Sequence, residues 1–210
     1  MMNIIRGCPR FQSCFFNSVF AMSNLSLHPP TTALVAIDLQ NALLGFNTAP
    51  YPVAHVVNKN RQLAEALRVR GGLVVWIRVD LKHFLQIPVD QPSPLAGKQL
   101  PDELSELAPS AGFEDGDLLV TKHHWGAFAG TPLEQELRSR GIDTVLLSGV
   151  STNAGVESTL RQGTGLGFGF IVVEDVCSGQ DADEHRYAFE KIFPRLARVR
   201  TSEEVLKALA

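Results

Sequence analysis

Cysteine is scarce in this chain of 210 residues, whose three thiols are Cys8, Cys14 and Cys177. Three scattered cysteines build neither a disulfide framework nor a zinc module, which fits a reducing compartment, and the cytoplasm is the expected location. Basic residues are not in excess either. Nineteen Lys and Arg against 22 Asp and Glu give a formal net charge of -3, and no run of cations supplies the footprint that nucleic acid or an anionic membrane surface demands. Neither a nucleic-acid nor a membrane partner is expected. No uninterrupted apolar run approaches the roughly 18 residues of a membrane-spanning helix. What is present is an ordinary balance, 45% hydrophobic and 20% charged, in a chain long enough to bury one sizeable α/β core. Small molecules are the expected partners.

Residues 1–28 stand apart from that core. Arg6, Arg10 and a short apolar stretch at 14–22 give a loose likeness to a signal peptide, broken by the charges at its start. Alternatively, translation starts at Met22, and the polar MSNLSLHPP then leads directly into the first strand. The expected layout is an N-terminal extension over 1–28, disordered or not translated, followed by one domain over 29–210.

Along the chain, short apolar runs alternate with helical spacings. TALVAI at 32–37 follows a Pro-Pro pair, is long enough for a strand buried on both faces and too short for a helix, and ends in Asp38. Apolar residues at Val53, Val56, Val57, Leu63, Ala64 and Leu67 predict a helix over 53–70, stopped by Gly71 and Gly72. LVVWIRV at 73–79 reads as the second strand. The segment 80–117 carries Pro88, Pro92, Pro94, Pro101 and Pro109 and predicts a long loop with one helical turn near 102–107, the kind of insertion that serves as a lid or an oligomer contact. A short third strand at 118–121 leads to Lys122. Thr131, Pro132 and Glu134 suggest a capping box opening a helix over 131–140, closed by Gly141. Strands at 168–174 and 196–199 and helices at 183–193 and 202–208 complete the pattern, the last helix capped by Thr201 or Ser202.

The densest stretch is TVLLSGVSTNAGVESTLR at 144–161. Its apolar start predicts a buried strand, Ser148 and Gly149 break it, and a helix is expected to begin near Ala154. A helix start leaves backbone N–H groups unpaired and carries positive partial charge, so such a turn can hold an anion or a developing oxyanion. The alternation as a whole predicts a single-domain, three-layer α/β/α fold around a six-stranded, mainly parallel, Rossmann-like sheet. Ligands bind such sheets beyond the carboxyl ends of the strands. Asp38, Lys122 and the turn before Gly155 each follow a predicted strand and are expected to converge on that edge.

ALVAIDLQNALL with Asp38, the long run LLVTKHHWGAFAGTPLEQELRSRGIDTVLLSGVSTNAGVESTLR with Lys122, and IVVEDVCS together resemble the isochorismatase-like family, also called the cysteine hydrolases. The resemblance covers roughly 32–206. It implies an Asp, Lys, Cys triad at the carboxyl edge of the sheet and a cis peptide before the nucleophile turn, at Val150–Ser151. It implies that the Asp takes the thiol proton, the Lys supports the charged state, and N–H groups at the helix start, here around Ala154 and Gly155, hold the oxyanion. Asp38 and Lys122 fall on the first two triad positions; the third is Gly155, which has no side chain to attack with. Family members with Gly at this position imply a hydrolysis without a covalent intermediate, in which the Asp protonates a vinyl ether and water completes the reaction. Homo-oligomers, dimers or larger, are common in the family and are expected by the same likeness.

Two opposing effects bear on Asp38. Lys122 beside it lowers the carboxyl pKa, and burial raises it. Where burial dominates, Asp38 is a general acid; where Lys122 dominates, it is a base that activates water against a C=O or C=N bond. The family's other reading is a non-catalytic relative that binds ligands or assembles. Phe46, Trp125 and Phe128 are expected pocket walls, with Arg78 a charged substrate contact. Cys177 also follows a strand but reads as a small buried hydrophobe. Adjacent His123 and His124 point to opposite faces of an extended segment, so at most one faces a site. Asp80, Lys82 and His83 do not supply the Asp and two His that nicotinamidases use for zinc, so neither a metal nor another cofactor is expected. Gly163, Gly165 and Gly167 follow no strand and read as a weakened helix and its cap.

Overall fold

The computed structural model describes residues 25–93 and 98–210. The expectation of an extension or an alternative start concerns residues that, up to 24, lie outside those described. Leu25 and Leu27, assigned to the extension, pack against the core.

β1 (Thr32–Ile37) is buried at every residue, as a strand covered on both faces must be. Its side chains alternate between two cores. Ala33, Val35 and Ile37 point to one; Leu34 and Ala36 point to the other. β2 (Leu73–Val79), β3 (Leu118–Lys122), β4 (Thr144–Val150), β5 (Gly169–Ser178) and β6 (Arg198–Arg200) complete a six-stranded sheet in the order β3-β2-β1-β4-β5-β6. Every pairing is parallel. The direction of winding therefore reverses between β1 and β4, and the crevice beyond their carboxyl ends is where a sheet of this topology receives ligands.

Helices cover both faces. α1 (Val53–Arg68) buries Val53, Val56, Val57, Asn60, Leu63, Ala64 and Leu67, a stripe of helical period, against one face. Leu63 and Leu67 are fully buried, and truncating either to Ala costs about 2–5 kcal/mol. α5 (Ser202–Leu209) joins this layer through Val205 and Leu209 and carries the reciprocal cap of Thr201 and Glu204. α2 (Leu133–Ser139) and α3 (Glu157–Gly165) bury Leu133, Leu137 and Leu160 in the opposite core, and α4 (Ala182–Tyr187) follows β5.

Several boundaries differ from the sequence pattern for identifiable reasons. At α2 the Thr131 hydroxyl accepts the Leu133 N–H, but Glu134 bonds Arg138 one turn on at 2.8 Å, so the expected capping box does not form. β5 runs four residues past Glu174 because it bulges: Leu147 pairs with Val172, and two residues later Gly149 pairs with Cys177. The acidic pair Glu174 and Asp175, which looked like a strand end, lies in that bulge. Lys122 is the last residue of β3 itself. The helix expected from Ala154 is preceded by a wide turn of π type over Thr152–Val156, so the chain coils two residues earlier than expected. The 183–193 helix is likewise split, with α4 giving way to a π turn at Ala188–Ile192. The long segment 80–117 contains the expected short turn, here 3-10 at Asp102–Ser105, and another at Pro109–Ala111.

Candidate active site

At the end of β1 the chain turns sharply. Asp38 has φ 55°, the one positive φ outside glycine among the described residues, a conformation that Asp tolerates better than most. Its N–H donates to Ile77 O at 2.9 Å and its carbonyl accepts the Gln40 N–H at 2.8 Å. Those bonds fix the backbone, and the carboxyl group projects beyond the sheet edge. Gln40 is buried and secures the same edge, donating to Val79 O and Leu104 O and accepting the Val79 N–H.

Lys122, at the end of β3, reaches past β2 to the same point. Its Nζ lies 2.8 Å from Asp38 Oδ2, with side-chain exposures of 2% and 14% for the pair, and also donates to His124 O at 3.1 Å. Asp38 Oδ1 is buried with no hydrogen-bond partner. Burial pushes the Asp38 carboxyl up and Lys122 pulls it down by charge and hydrogen bond, and burial prevails. The group therefore holds its proton to higher pH than an ordinary carboxylic acid.

The third element arrives from β4. The Val150–Ser151 peptide is cis, and the turn that follows brings the buried Gly155 opposite Asp38. A Cβ at 155 would lie 3.3 Å from Asp38 Oδ2 and 3.6 Å from Trp125 O. Two polar side chains on α3 hold the 125–129 loop in place. Thr159 Oγ1 donates to Gly155 O at 2.7 Å and accepts the Ala127 N–H at 3.0 Å. Gln162 Oε1 accepts the Phe128 N–H. A Cβ on Gly126 would fall 2.3 Å from Gln162 Oε1, so a larger residue here would push the Gln162 amide off the Phe128 N–H.

Two chambers of about 150 Å³ each open around this centre. Asp38, Val79, Leu81 and Trp125 line both. One extends past Phe84 and Gln86 to Lys122. The other extends past Phe46 and Gln180 to the Ser151, Ala154 and Gly155 turn. A wider groove of about 420 Å³ beside α1 shares none of these residues.

The structure thus brings together Asp38, Lys122, Gly155, Ala154, Val150, Ser151, Phe46 and Trp125, and it removes two expected contacts. Arg78 turns away from the chambers, its Nε donating to Thr121 Oγ1 and its Nη1 held 2.6 Å from Glu106 Oε2. Phe128 is core, stacked on Phe168 with ring centroids 5.7 Å apart. Gly163 makes room for that packing rather than merely weakening a helix, since a Cβ there would fall 2.3 Å from Phe170 and 2.7 Å from Phe128. Of the two expected oxyanion donors, the Ala154 N–H is already engaged, donating to Ser151 O at 3.1 Å.

Cys177 is fully buried in the layer opposite α1, and burial pushes its thiol far up. It lines neither chamber. His124 contributes its carbonyl to Lys122, and His123 lies 3.7 Å from Asp80 Oδ2, which pairs more closely with His83 at 2.8 Å. Sequence reasoning missed Gln40, Val79, Leu81, Phe84, Gln86 and Gln180 as wall residues. The signals available were Gln40 two residues after Asp38 and the position of Leu81, Phe84 and Gln86 just after a strand end.

Comparison with known proteins adds a family context. The isochorismatase domain profile matches residues 32–204. An uncharacterised isochorismatase family protein of Escherichia coli, YecD, is 46% identical, over 88% of this chain and 100% of its own. The ureidoacrylate amidohydrolase RutB of Klebsiella pneumoniae is 34% identical, over 72% of this chain and 75% of its own. Among solved structures, an isochorismatase family protein of Burkholderia thailandensis superposes with a TM-score of 0.82 at 39% identity, covering 88% of this chain and 97% of the other.

Proposed function

The chain belongs to the isochorismatase family of hydrolases, and from that premise we propose that it cleaves its substrate with water, Asp38 supplying the proton and no enzyme-bound covalent intermediate forming. The observation that carries this reading is the Asp38 carboxyl. The residue lines both chambers, one oxygen is tied to Lys122, the other is buried without a partner, and burial favours the protonated form. A carboxylic acid so placed is a proton donor awaiting an acceptor.

For a vinyl ether, the Asp38 proton goes to the terminal alkene carbon and leaves an oxocarbenium ion. Water adds to that cation and releases a proton, which returns to the Asp38 carboxylate, and the hemiketal collapses to a ketone and an alcohol. Lys122 stabilises the carboxylate in the interval. Gly155 offers no thiol, and its bare backbone borders the chamber that substrate or water would occupy.

Cleavage of a C–N bond is the second reading, favoured by the likeness to RutB, an amidohydrolase. Here water adds to the carbonyl with the oxyanion toward the Gly155 N–H, the Asp38 proton goes to the nitrogen as the C–N bond breaks, and the proton lost by the added water returns to the Asp38 carboxylate, leaving a carboxylic acid and an amine. Both versions use the same acid. The experiment is product release by the purified protein and its Asp38→Asn variant on vinyl ethers, small amides, carbamoyl compounds and imides. Turnover lowered about 10²–10⁴-fold by the substitution supports the proton-donor role. Binding without turnover of any class would favour a ligand-binding relative instead. Assembly into a dimer or larger homo-oligomer in the cytoplasm is part of the same proposal, readable by light scattering.

A further inference from the structure

We propose that the substrate is an electrically neutral molecule of two parts, the bond to be cut lying against Asp38 and one part occupying each chamber. The inference rests on the hydrolase reading for the word "cut", but its basis is the shape and charge of the site.

The two chambers meet at Asp38, Val79, Leu81 and Trp125, so the proton donor stands at their junction rather than at the end of a single pocket. A molecule filling both must pass its middle over the carboxyl group. The halves need not be alike. One chamber has an aromatic end, where Phe84 meets Trp125 edge to face at 5.5 Å. The other is closed by the Gly155 turn.

Among the described residues, Asp38 and Lys122 are the only charged groups lining either chamber. The Lys122 ammonium is held in the wall by Asp38 Oδ2 and His124 O, whichever way the Asp38 proton stands. Turning its ammonium toward a substrate would break bonds at a side chain only 2% exposed. The neighbouring cations are spoken for elsewhere: Arg78 by Glu106, and Lys82 by Asp102 at 2.5 Å. Residues 94–97 are Pro, Leu, Ala and Gly and carry no ionisable side chain. A carboxylate or phosphate entering these chambers would lose its water without meeting a cation free to turn and bond it, whereas an amide, carbonyl or hydroxyl could be met by the neutral side chains of Gln86 and Gln180.

The test uses matched probes that differ only in charge: phenyl vinyl ether and acetanilide, and the 3-carboxylate of each. Binding to the full chain is measured at pH 7.5 by calorimetry and ligand-observed NMR, and turnover is followed in the same samples. The expected result is binding of the neutral probes at least about tenfold tighter than of the carboxylates. Gln180→Arg, a change at an exposed position that does not put folding at risk, narrows that gap, and Leu81→Arg at the junction reverses it. Carboxylates binding as tightly as the neutral probes, or no binding by the neutral pair, overturns the inference. Neutral binding without turnover upholds it while removing the hydrolase reading, so the two fail separately.

Discussion

A Cβ on Gly155 would stand 3.3 Å from Asp38 Oδ2 and 2.9 Å from Ile37 Cγ2. Position 155, where the family resemblance implies a thiol, is thus aimed at the Asp38 carboxyl, and in this chain it is bare backbone bordering the chamber space. Gly155→Ala should press a methyl group against Ile37 and into that space. Its φ is not in the left-handed region, so the backbone accepts Ala, and the cost is overpacking against Ile37, about 1–3 kcal/mol before any gain in helix propensity. Turnover should fall by about tenfold or more as the substrate is displaced from Asp38. A fully active Gly155→Ala enzyme would show that the space is not used.

Lys122→Met should move the pH dependence of the reaction upward. Lys122 favours the Asp38 carboxylate by charge and hydrogen bond, and burial favours the acid. With Lys122 gone only burial remains, so Asp38 keeps its proton to higher pH. For a proton donor, activity falls as pH rises through the Asp38 pKa, and in the variant that falling limb shifts to higher pH. A limb that stays in place, or shifts down, contradicts the coupling. The variant should also be less stable at neutral pH, by up to about 3–5 kcal/mol, because a buried carboxylate is left unpaired or must take up a proton.

Cys177 should be dispensable for chemistry. It lies in the core, its thiol is held well above the ordinary range, and it lines neither chamber. Cys177→Ala should retain turnover within about twofold, with a modest loss of stability on the order of 1 kcal/mol. Mass spectrometry after iodoacetamide treatment of the native enzyme at pH 8 should find Cys177 unmodified. Loss of turnover on alkylation of that residue would reinstate a thiol mechanism.

His185 anchors the turn from below. Its Nδ1 lies 2.8 Å from Thr152 Oγ1, its Nε2 is buried without a partner, and burial lowers its pKa to about 4. The folded protein therefore binds the His185 proton less readily than the unfolded chain, whose His titrates near 6.5. Stability from this group is present above about pH 6.5 and is lost as the pH falls toward 4. Urea denaturation at pH 7 and pH 5 should show a decrease of about 1–2 kcal/mol assignable to His185. His185→Gln should reduce that decrease; an unchanged difference would place the acid sensitivity elsewhere.

The sheet was readable because a strand buried on both faces is a short unbroken apolar run, and TALVAI and LVVWIRV meet that description with no competing helical spacing. Asp38 and Lys122 were readable as strand-end residues on one edge. The direction in which a side chain leaves a buried strand was not. Arg78 and Phe128 were assigned to the pocket by proximity in sequence, yet Arg78 is bound to Glu106 and Phe128 fills the space that Gly163 leaves. The Glu134 carboxylate had two local partners within reach, the cap and Arg138, and residue spacing cannot rank them. The β5 bulge was hidden because Glu174 and Asp175 look like the end of a strand rather than an interruption of one. The chamber walls from the 80–117 segment were also hidden, since their placement depends on bonds such as Gln40 to Leu104 O, 64 residues apart.

The protonation of Asp38, on which the proposed chemistry rests, can be measured without knowing the substrate. Selective ¹³C labelling of Asp carboxyl carbons, with the Asp38 signal assigned by its absence in Asp38→Asn, gives the titration midpoint directly. The prediction is a midpoint raised above the ordinary Asp value of 3.8, with a further rise in Lys122→Met. A midpoint at or below 3.8 would mean that Lys122 outweighs burial and would contradict Asp38 as the proton donor.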